Sequence, residues 1–240
     1  MTLIYPANAM VYATAVGLLI GFTTLLAGQQ ASDSGAKGQE AYSAAVPGDV
    51  HPDSRNRLPL VRREDFSESD RKIFDLVAGD TRSLVGLQGP GGIRLHSPRL
   101  SEAAFRGNEF LRFENGLGRR LSELAILVTA RELDQQFEWT AHEPAGLKAG
   151  LEQSIIDIVK YRRPVAGLGE KEAAIIQLGR EAVGRRKVSP ETFARALKEF
   201  GKEGLVNLVS LIGQYAATAI LLDTFDQQLP AGQKPLLPMP

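Results

Sequence analysis

The sequence predicts an all-α protein, and three features of the chain lead to this prediction. From about Ser67 onward, apolar residues recur at spacings of three and four, which is the repeat of an amphipathic helix. Glycine and proline stand at the breaks between these periodic stretches, where one helix ends and the next begins. No stretch shows sustained alternation together with the β-branched residues typical of strands.

The composition limits the classes of function. The chain has 240 residues, which is enough for one domain with a full core. Its 28 basic and 28 acidic residues balance, so no basic surface for nucleic acid is expected. The chain contains no cysteine, which excludes disulfides, thiolate catalysis, cysteine-ligated metals and a lipoprotein anchor. We therefore expect a small-molecule substrate rather than a nucleic-acid partner.

The first 31 residues differ from the rest of the chain. No charged residue precedes Asp33, and residues 9–28 read AMVYATAVGLLIGFTTLLAG. A bilayer span needs about 20 residues, and small residues at Ala27 and Ala31 suit a signal peptidase. We predict that residues 1–31 are an export signal, which would make the protein periplasmic or secreted. The alternatives are a retained membrane anchor, or no signal and a cytoplasmic protein; membrane contact is expected through this segment alone.

Three further regions follow this segment. Residues 32–60 are rich in serine, glycine and proline and are predicted to be a flexible linker. Residues 61–232 contain the periodic stretches and form the predicted helical domain. Residues 233–240 make a proline-rich tail, which cannot be helical and is expected to lie over a surface.

The helices are justified in chain order by their start and stop signals. Ser67 and Asp70 begin the first helix, which ends at Gly79. The next segment, TRSLVGLQGPGGIRLHSP, is predicted to be a loop because of its Gly-Pro-Gly-Gly content. The segment QFEWTAHEPAG is predicted to be a helix broken near Pro144. The other predicted helices are RLSEAAFRGNEFLRFENG, GRRLSELAILVTARELD, LEQSIIDIVKYRR, GEKEAAIIQLGREAVGRR and SPETFARALKEFG.

The last helix carries no charge between Glu203 and Asp223, so its length alone would allow a membrane span. Polar residues nevertheless recur along it every three or four positions and form a stripe. These residues are Asn207, Ser210, Gln214 and Thr218. The stripe favours a helix buried in the protein core or at a subunit interface.

Candidate reactive residues concentrate in the segment QFEWTAHEPAG. At about 100° per residue, Gln135, Glu138 and His142 share one helix face. Glu138 and His142 are an i, i+4 pair, and a carboxylate beside an imidazole raises its pKa and suits acid–base chemistry. Trp139 borders this face with a broad apolar wall. The preceding helix is largely apolar but carries Glu123, whose proton affinity would be perturbed by burial.

A short connection near Asp134 would fold the two helices antiparallel and allow Glu123 to approach His142. A simpler interpretation places the Glu138–His142 pair on a solvated face, with Glu123 complementing a helix dipole. Likewise, an isolated tryptophan is more often a core residue than a substrate wall.

A metal site built from Glu123, Glu138 and His142 is a further alternative. It is disfavoured because no second histidine stands at ligand spacing, and His51 and His96 fall in predicted loops.

The segment RRLSELAILVTARELDQQFEWTAHEPAGLKAGL resembles the core of the carboxymuconolactone decarboxylase family, which includes the alkylhydroperoxidase D-like proteins. The resemblance extends over about residues 60–232 and implies an alkylhydroperoxidase D-like helical bundle. The peroxidase branch of this family has the pattern Glu, eleven residues, Cys, two residues, Cys, three residues, His. This chain keeps Glu123 and His142, but Gln135 and Glu138 occupy the cysteine positions. Thiol peroxidase activity is therefore excluded, since thiol–disulfide exchange needs two sulfurs.

The decarboxylase branch needs no cysteine, and the resemblance to it implies a cofactor-free lyase without a metal. Such an enzyme would remove carbon dioxide from a small carboxylated or lactone-type substrate. His142 would be the acid–base group, with Glu123 as its partner and Glu138 beside it.

The resemblance also implies how the substrate is held and how the chains assemble. Arg120 would bind a carboxylate through two hydrogen bonds, and Gln135 and Trp139 would complete the pocket. The protein would be a homotrimer or a hexamer. A helical oligomer of the same fold that binds a ligand without turnover is the competing interpretation, and a purely structural role is a third.

Overall fold

The computed structural model describes residues 46–79 and 86–239, and every regular element within these ranges is helical. The all-α prediction is confirmed for this part of the chain. The α-helices are α1 Glu68–Ala78, α2 Pro90–Leu95, α3 Pro98–Glu109, α4 Arg119–Glu132, α5 Gln136–Lys148, α6 Gln153–Lys160, α7 Glu170–Gly179 and α8 Pro190–Thr224. A 3₁₀ turn spans Arg63–Asp65, and π-helical turns at Phe110–Glu114 and Arg180–Arg185 extend α3 and α7. The predicted export segment and residues 32–45 of the predicted linker lie outside the described residues.

Helix α4 is the centre of the bundle. Residues 122–131 on this helix are all buried, and α5, α7 and α8 pack around it. Leu124, Ile126 and Leu127 are fully buried in the main core. Because the helix is enclosed on every side, any ionisable side chain in this stretch is forced into the interior.

Local signals set several helix boundaries where the sequence predicts them. Ser67 caps α1, since its side chain accepts a hydrogen bond from the backbone N–H of Asp70. Ser189 caps α8 in the same way, with Pro190 at the first helical position. Inside α8, Gly201 adopts φ 66° and ψ −177°, which is a local break between the two predicted helices.

Two predictions about helix limits are wrong. Part of the predicted glycine-rich loop is the short helix α2, which begins with Pro90 at its first position after Gly89 at φ 115°. Helix α5 is not broken near Pro144 but continues through it to Lys148. The proline removes one backbone donor from the helix. Packing of the flanking residues, which include the buried His142 and Gly146, holds the helix together.

Helix α8 is buried on one face and exposed on the other. Leu208 and Leu211 are fully buried in the main core, as expected for a core helix. On the opposite face Val206, Val209 and Ile220 are exposed at 64%, 45% and 65%. By length and composition alone this helix could also cross a membrane.

Segments outside the helices cover the carboxyl end of α8. Residues 46–60, which belong to the predicted linker, pack there: the backbone N–H of Arg57 donates to Phe225, and the Asn56 amide donates to Gln227. The tail lies over the bundle as predicted, with Leu237 buried and the Pro238 carbonyl accepting from Arg131.

Candidate active site

The connection between α4 and α5 brings Glu123 and His142 together. Asp134 turns the chain with a positive φ of 50°, and the backbone N–H of Gln135 donates to the Ala130 carbonyl. Helix α5 then folds back along α4. His142 Nδ1 lies 2.6 Å from Glu123 Oε2, and both side chains are buried. The predicted approach of these two groups is therefore present.

Electrostatics fix the protonation of this pair. Burial alone would raise the pKa of Glu123, but the charge and hydrogen bond of His142 and two neighbouring guanidinium groups lower it to about 2. Burial alone would lower the pKa of His142, but Glu123 outweighs this, and the net direction is upward. An ionised Glu123 can only accept, so Nδ1 of His142 carries the proton and donates it. The other ring nitrogen, Nε2, lies 3.4 Å from Glu138 Oε2.

Two arginines surround the second oxygen of Glu123. Arg119 Nη2 lies 2.7 Å from Glu123 Oε1, and Arg112 Nη2 lies 3.4 Å from the same atom. The guanidinium of Arg119 also stacks over the ring of Phe113, 4.5 Å from its centroid. His142, Arg119 and Arg112 thus hold Glu123 as a carboxylate. The Nε2 proton of His142 remains available for exchange.

His142 and Glu138 line a cavity of about 190 Å³. Helices α2, α3, α5 and α8 contribute to its walls, as does the π-helical turn that follows α3. The polar lining residues are Gln88, Arg94, Ser101, Asn108, Arg112, Glu138, His142, Gln214, Tyr215 and Thr218. The apolar lining residues are Val77, Pro90, Ala104, Phe105, Phe137, Ala141 and Ala145. The lining therefore combines charged and apolar side chains, and α5 contributes both kinds.

Arg94 and Arg112 give this cavity its positive charge. Arg94 Nη2 donates to Thr218 Oγ1 at 2.6 Å; burial lowers its pKa, while the charge of Glu138 raises it. The Nε of Arg112 is buried and has no hydrogen-bond partner among the described residues. With Arg119, three guanidinium groups face the two carboxylates of Glu123 and Glu138. The cluster carries a surplus positive charge even before His142 is protonated.

Sequence reasoning missed three residues of this cavity. Arg94 falls in a segment predicted to be a loop, Arg112 lies near the end of a predicted helix, and Tyr215 belongs to the last helix. All three reach the cavity through packing between elements distant in sequence. One signal in the sequence was an arginine between large apolar residues in FLRF, residues 110–113.

The structure places the three predicted substrate-binding residues away from this cavity. Arg120 lies on the other side of α4, where it pairs with Glu152 and Glu172. Gln135 is the residue before α5, so the helical face assigned to it does not apply; its side chain caps the helix. Trp139 points into the main core and is fully buried there.

A scan of the sequence against protein-family models finds no matching family, and a search of curated proteins finds no significantly similar sequence.

Proposed function

We propose that the protein is a cofactor-free acid–base enzyme, a lyase that acts on a small carboxylated or lactone-type molecule. The observation that carries this proposal is the buried hydrogen bond of 2.6 Å between Glu123 and His142 at the wall of a cavity. A carboxylate that orients an imidazole and raises its pKa is a common arrangement for proton transfer near neutral pH. We also propose that the chain is related to the carboxymuconolactone decarboxylase family and has its alkylhydroperoxidase D-like bundle.

The charges of the cavity suit loss of carbon dioxide followed by protonation of carbon. Arg94 and Arg112 attract the carboxylate of an incoming substrate, a role that sequence reasoning gave to Arg120. His142 delivers a proton from Nε2, the ring nitrogen that faces the cavity and Glu138. Glu123 stays ionised throughout and stabilises the imidazolium form of His142.

The size and polarity of the cavity limit the substrate. A volume of 190 Å³ accommodates roughly a dozen water-sized groups. The apolar lining residues, which include Phe105 and Phe137, suit a ring or a short hydrocarbon body. The guanidinium groups of Arg94 and Arg112 suit an anionic end. A single-ring molecule that bears a carboxylate meets both conditions.

The test is a screen of small lactones and β-keto acids with the purified full chain, which follows substrate loss and release of carbon dioxide. We expect turnover of at least one compound, and its loss in His142→Ala. The matched control is His96→Ala, because His96 is exposed and its Nε2 contacts the Pro59 carbonyl, outside the cavity. Ligand-induced increases in melting temperature without turnover would favour the non-catalytic binding protein. If the screen shows no turnover and no thermal shift, both proposals are contradicted.

We also propose that the chain forms a homo-oligomer through the exposed face of α8; the trimer or hexamer comes from the family resemblance. Support comes from Val206, Val209 and Ile220, which place large apolar side chains in water on an uncharged helix surface. We expect Val206→Glu combined with Ile220→Glu to lower the mass measured by analytical ultracentrifugation. A monomeric wild-type protein would contradict the proposal.

Export is proposed from residues 1–31 alone, and sequencing the amino terminus of the protein recovered from cells would test it. A chain that begins near residue 32 is expected. An intact amino terminus would favour the membrane anchor or the absence of a signal.

A further inference from the structure

Tyr215 lies in the cavity directly beside His142, although nothing in the proton-transfer scheme so far uses it. It projects from α8 and lines the cavity with Glu138 and Arg112. Its ring meets the ring of His142 edge-on, with centroids 5.1 Å apart and an interplanar angle of 86°. This contact fixes the position of the phenol relative to the imidazole.

Tyr215 is only 6% exposed, and no side chain or backbone group in the described part of the chain hydrogen-bonds its hydroxyl; the oxygen atom itself is still accessible, since it lies at the cavity. A hydroxyl that opens onto a cavity is satisfied by water or by a bound ligand. The cavity that Tyr215 lines is the space from which a partner can come. A ligand that offers an oxygen can therefore take the place of water as the partner of this hydroxyl.

The surroundings of Tyr215 keep its hydroxyl protonated. Burial raises the pKa of the phenol, the guanidinium of Arg112 lowers it, and the carboxylates of Glu138 and Glu123 raise it again. Arg119 also acts to lower it, but the net direction is strongly upward. Tyr215 is thus a hydrogen-bond donor that keeps its proton over the working range of pH, next to a histidine that gives its proton away.

We propose that Tyr215 is a catalytic residue whose hydroxyl donates a hydrogen bond to the oxyanion that forms when the carbon–carboxylate bond breaks. The inference rests on the proposed function and adds the group that receives the developing charge. Donors placed where charge develops are often the largest single contribution to catalysis.

The bond between the substrate carbon and its carboxylate breaks, carbon dioxide leaves, and the electron pair moves onto the adjacent carbonyl oxygen as an enolate. Tyr215 donates a hydrogen bond to this oxygen and keeps its proton. The enolate then collapses, and the Nε2 proton of the His142 imidazolium moves to the carbon. The neutral imidazole regains a proton from water.

Binding of 4-nitrophenolate to the full chain tests the proposal, because this anion mimics an enolate oxygen and its absorbance reports its environment. Tyr215→Phe removes the hydroxyl and keeps the ring contact with His142. We expect it to bind the phenolate about 10-fold more weakly than the wild type, since hydrogen bonds to charged groups have this strength. Tyr161→Phe, on an exposed tyrosine outside the cavity, is the matched control and should bind as the wild type does.

A second readout separates a donor from a merely structural tyrosine. Across phenolates of increasing basicity, affinity should rise for the wild type, and the slope should flatten in Tyr215→Phe. On a substrate found in the screen, Tyr215→Phe should lower kcat by about 10²-fold with little change in KM. If the variant does not fold, the ¹³Cζ signal of Tyr215 in the wild type should still move when 4-nitrophenolate is added.

Several results would overturn the inference: no phenolate binding by the wild type, equal affinity in Tyr215→Phe, or an unmoved ¹³Cζ signal. Failure of the proposed function gives a different result. Phenolate binding that depends on Tyr215, without turnover of any compound, would reject the lyase activity and retain Tyr215 as a hydrogen-bond donor. Turnover that needs His142 but not the hydroxyl of Tyr215 would keep the lyase and reject the donor.

Discussion

Helix α5 contributes to two buried acid–base pairs on different sides, and the contrast between them separates a site from a structural contact. Toward the cavity, His142 pairs with Glu123 at 2.6 Å. Toward the core, Glu143 pairs with Lys160 at 2.7 Å and accepts a second hydrogen bond from Trp139 Nε1 at 2.6 Å. The two arrangements have similar burial and similar distances.

The difference lies in what remains unsatisfied. Both oxygens of Glu143 are occupied, and neither Glu143 nor Lys160 lines the cavity beside His142. On the cavity side, the Nε2 of His142 has only a long contact of 3.4 Å with Glu138. The buried Nε of Arg112 has no hydrogen-bond partner among the described residues. Burial alone therefore does not make an ion pair a reactive centre. A reactive pair also needs a neighbouring cavity for the substrate and polar groups that are free to hydrogen-bond it.

The largest expected effect is on activity, in Glu123→Gln. This change keeps the shape of the side chain but removes the charge that holds the imidazolium form of His142. We expect turnover to fall by about 10²-fold or more, as for loss of a working acid–base group. The pKa of His142 should fall as well, because Glu123 is its main raising influence. Steady-state kinetics and an NMR titration of His142 measure both, and unchanged turnover would contradict the assignment.

The core-facing pair should behave in the opposite way. Glu143→Ala leaves Lys160 and the indole N–H without their acceptor, so the free energy of unfolding should fall by about 3 kcal/mol. Turnover by the folded fraction should stay close to that of the wild type. Glu143→Gln, which keeps an acceptor for Trp139, should lose less stability. Urea unfolding measures these values, and a stable but inactive Glu143→Ala would remove the distinction between the two sides.

Stability should depend on pH through the cavity-facing pair. The pKa of Glu123 is lowered to about 2 in the folded protein, so its contribution is present above its unfolded value of 4.5 and lost as pH falls toward 2. The pKa of His142 is raised, so its contribution is full below its unfolded value of 6.5 and lost as pH rises through the folded value. The excess stability of the wild type over Glu123→Gln should therefore be greatest between these limits.

Urea unfolding of both proteins at about pH 3, about pH 5.5 and about pH 9 checks this window. Lys160→Met, which removes the core-facing pair instead, serves as the comparison and should lower stability at all three values. A stability difference between the wild type and Glu123→Gln that does not change with pH would be inconsistent with the protonation states assigned to the pair.

The smallest effect is expected for Arg120→Ala. Arg120 pairs with exposed or partly exposed carboxylates at the surface, and such pairs contribute little to stability. KM should change by less than about twofold, whereas Arg94→Ala should raise KM by about 10-fold through loss of a charged hydrogen bond. Equal increases in KM for the two variants would support the substrate-binding role that sequence reasoning gave to Arg120.

Much of the helical pattern could be predicted because periodicity and capping act over a few residues. Ser67, Ser189 and Gly201 each mark a boundary that the structure contains. Helix α2 was missed because six residues are too few to show a repeat, and Pro144 misled because tertiary packing outweighs a local penalty.

The site was predictable to the extent that it lies on two consecutive helices. Glu123 and His142 met because a short turn leaves little freedom in how α4 and α5 pack. Arg94, Arg112 and Tyr215 come from elements whose approach depends on the whole bundle, so no local pattern could place them. Trp139, one residue along α5 from Glu138, already points into the core.

The π-helical turn at Phe110–Glu114 carries a consequence for how this protein tolerates insertions and deletions. A π turn closes over one residue more than an α turn, so the side chains on either side of it are rotated by about 100° relative to an uninterrupted α-helix. Arg112 sits in the middle of this widened turn. Deleting one residue there would convert the π-helical turn to an α-helical turn and rotate the Arg112 guanidinium away from the cavity. A one-residue deletion that leaves Arg112 itself in the chain would therefore be enough to remove its positive charge from the cavity.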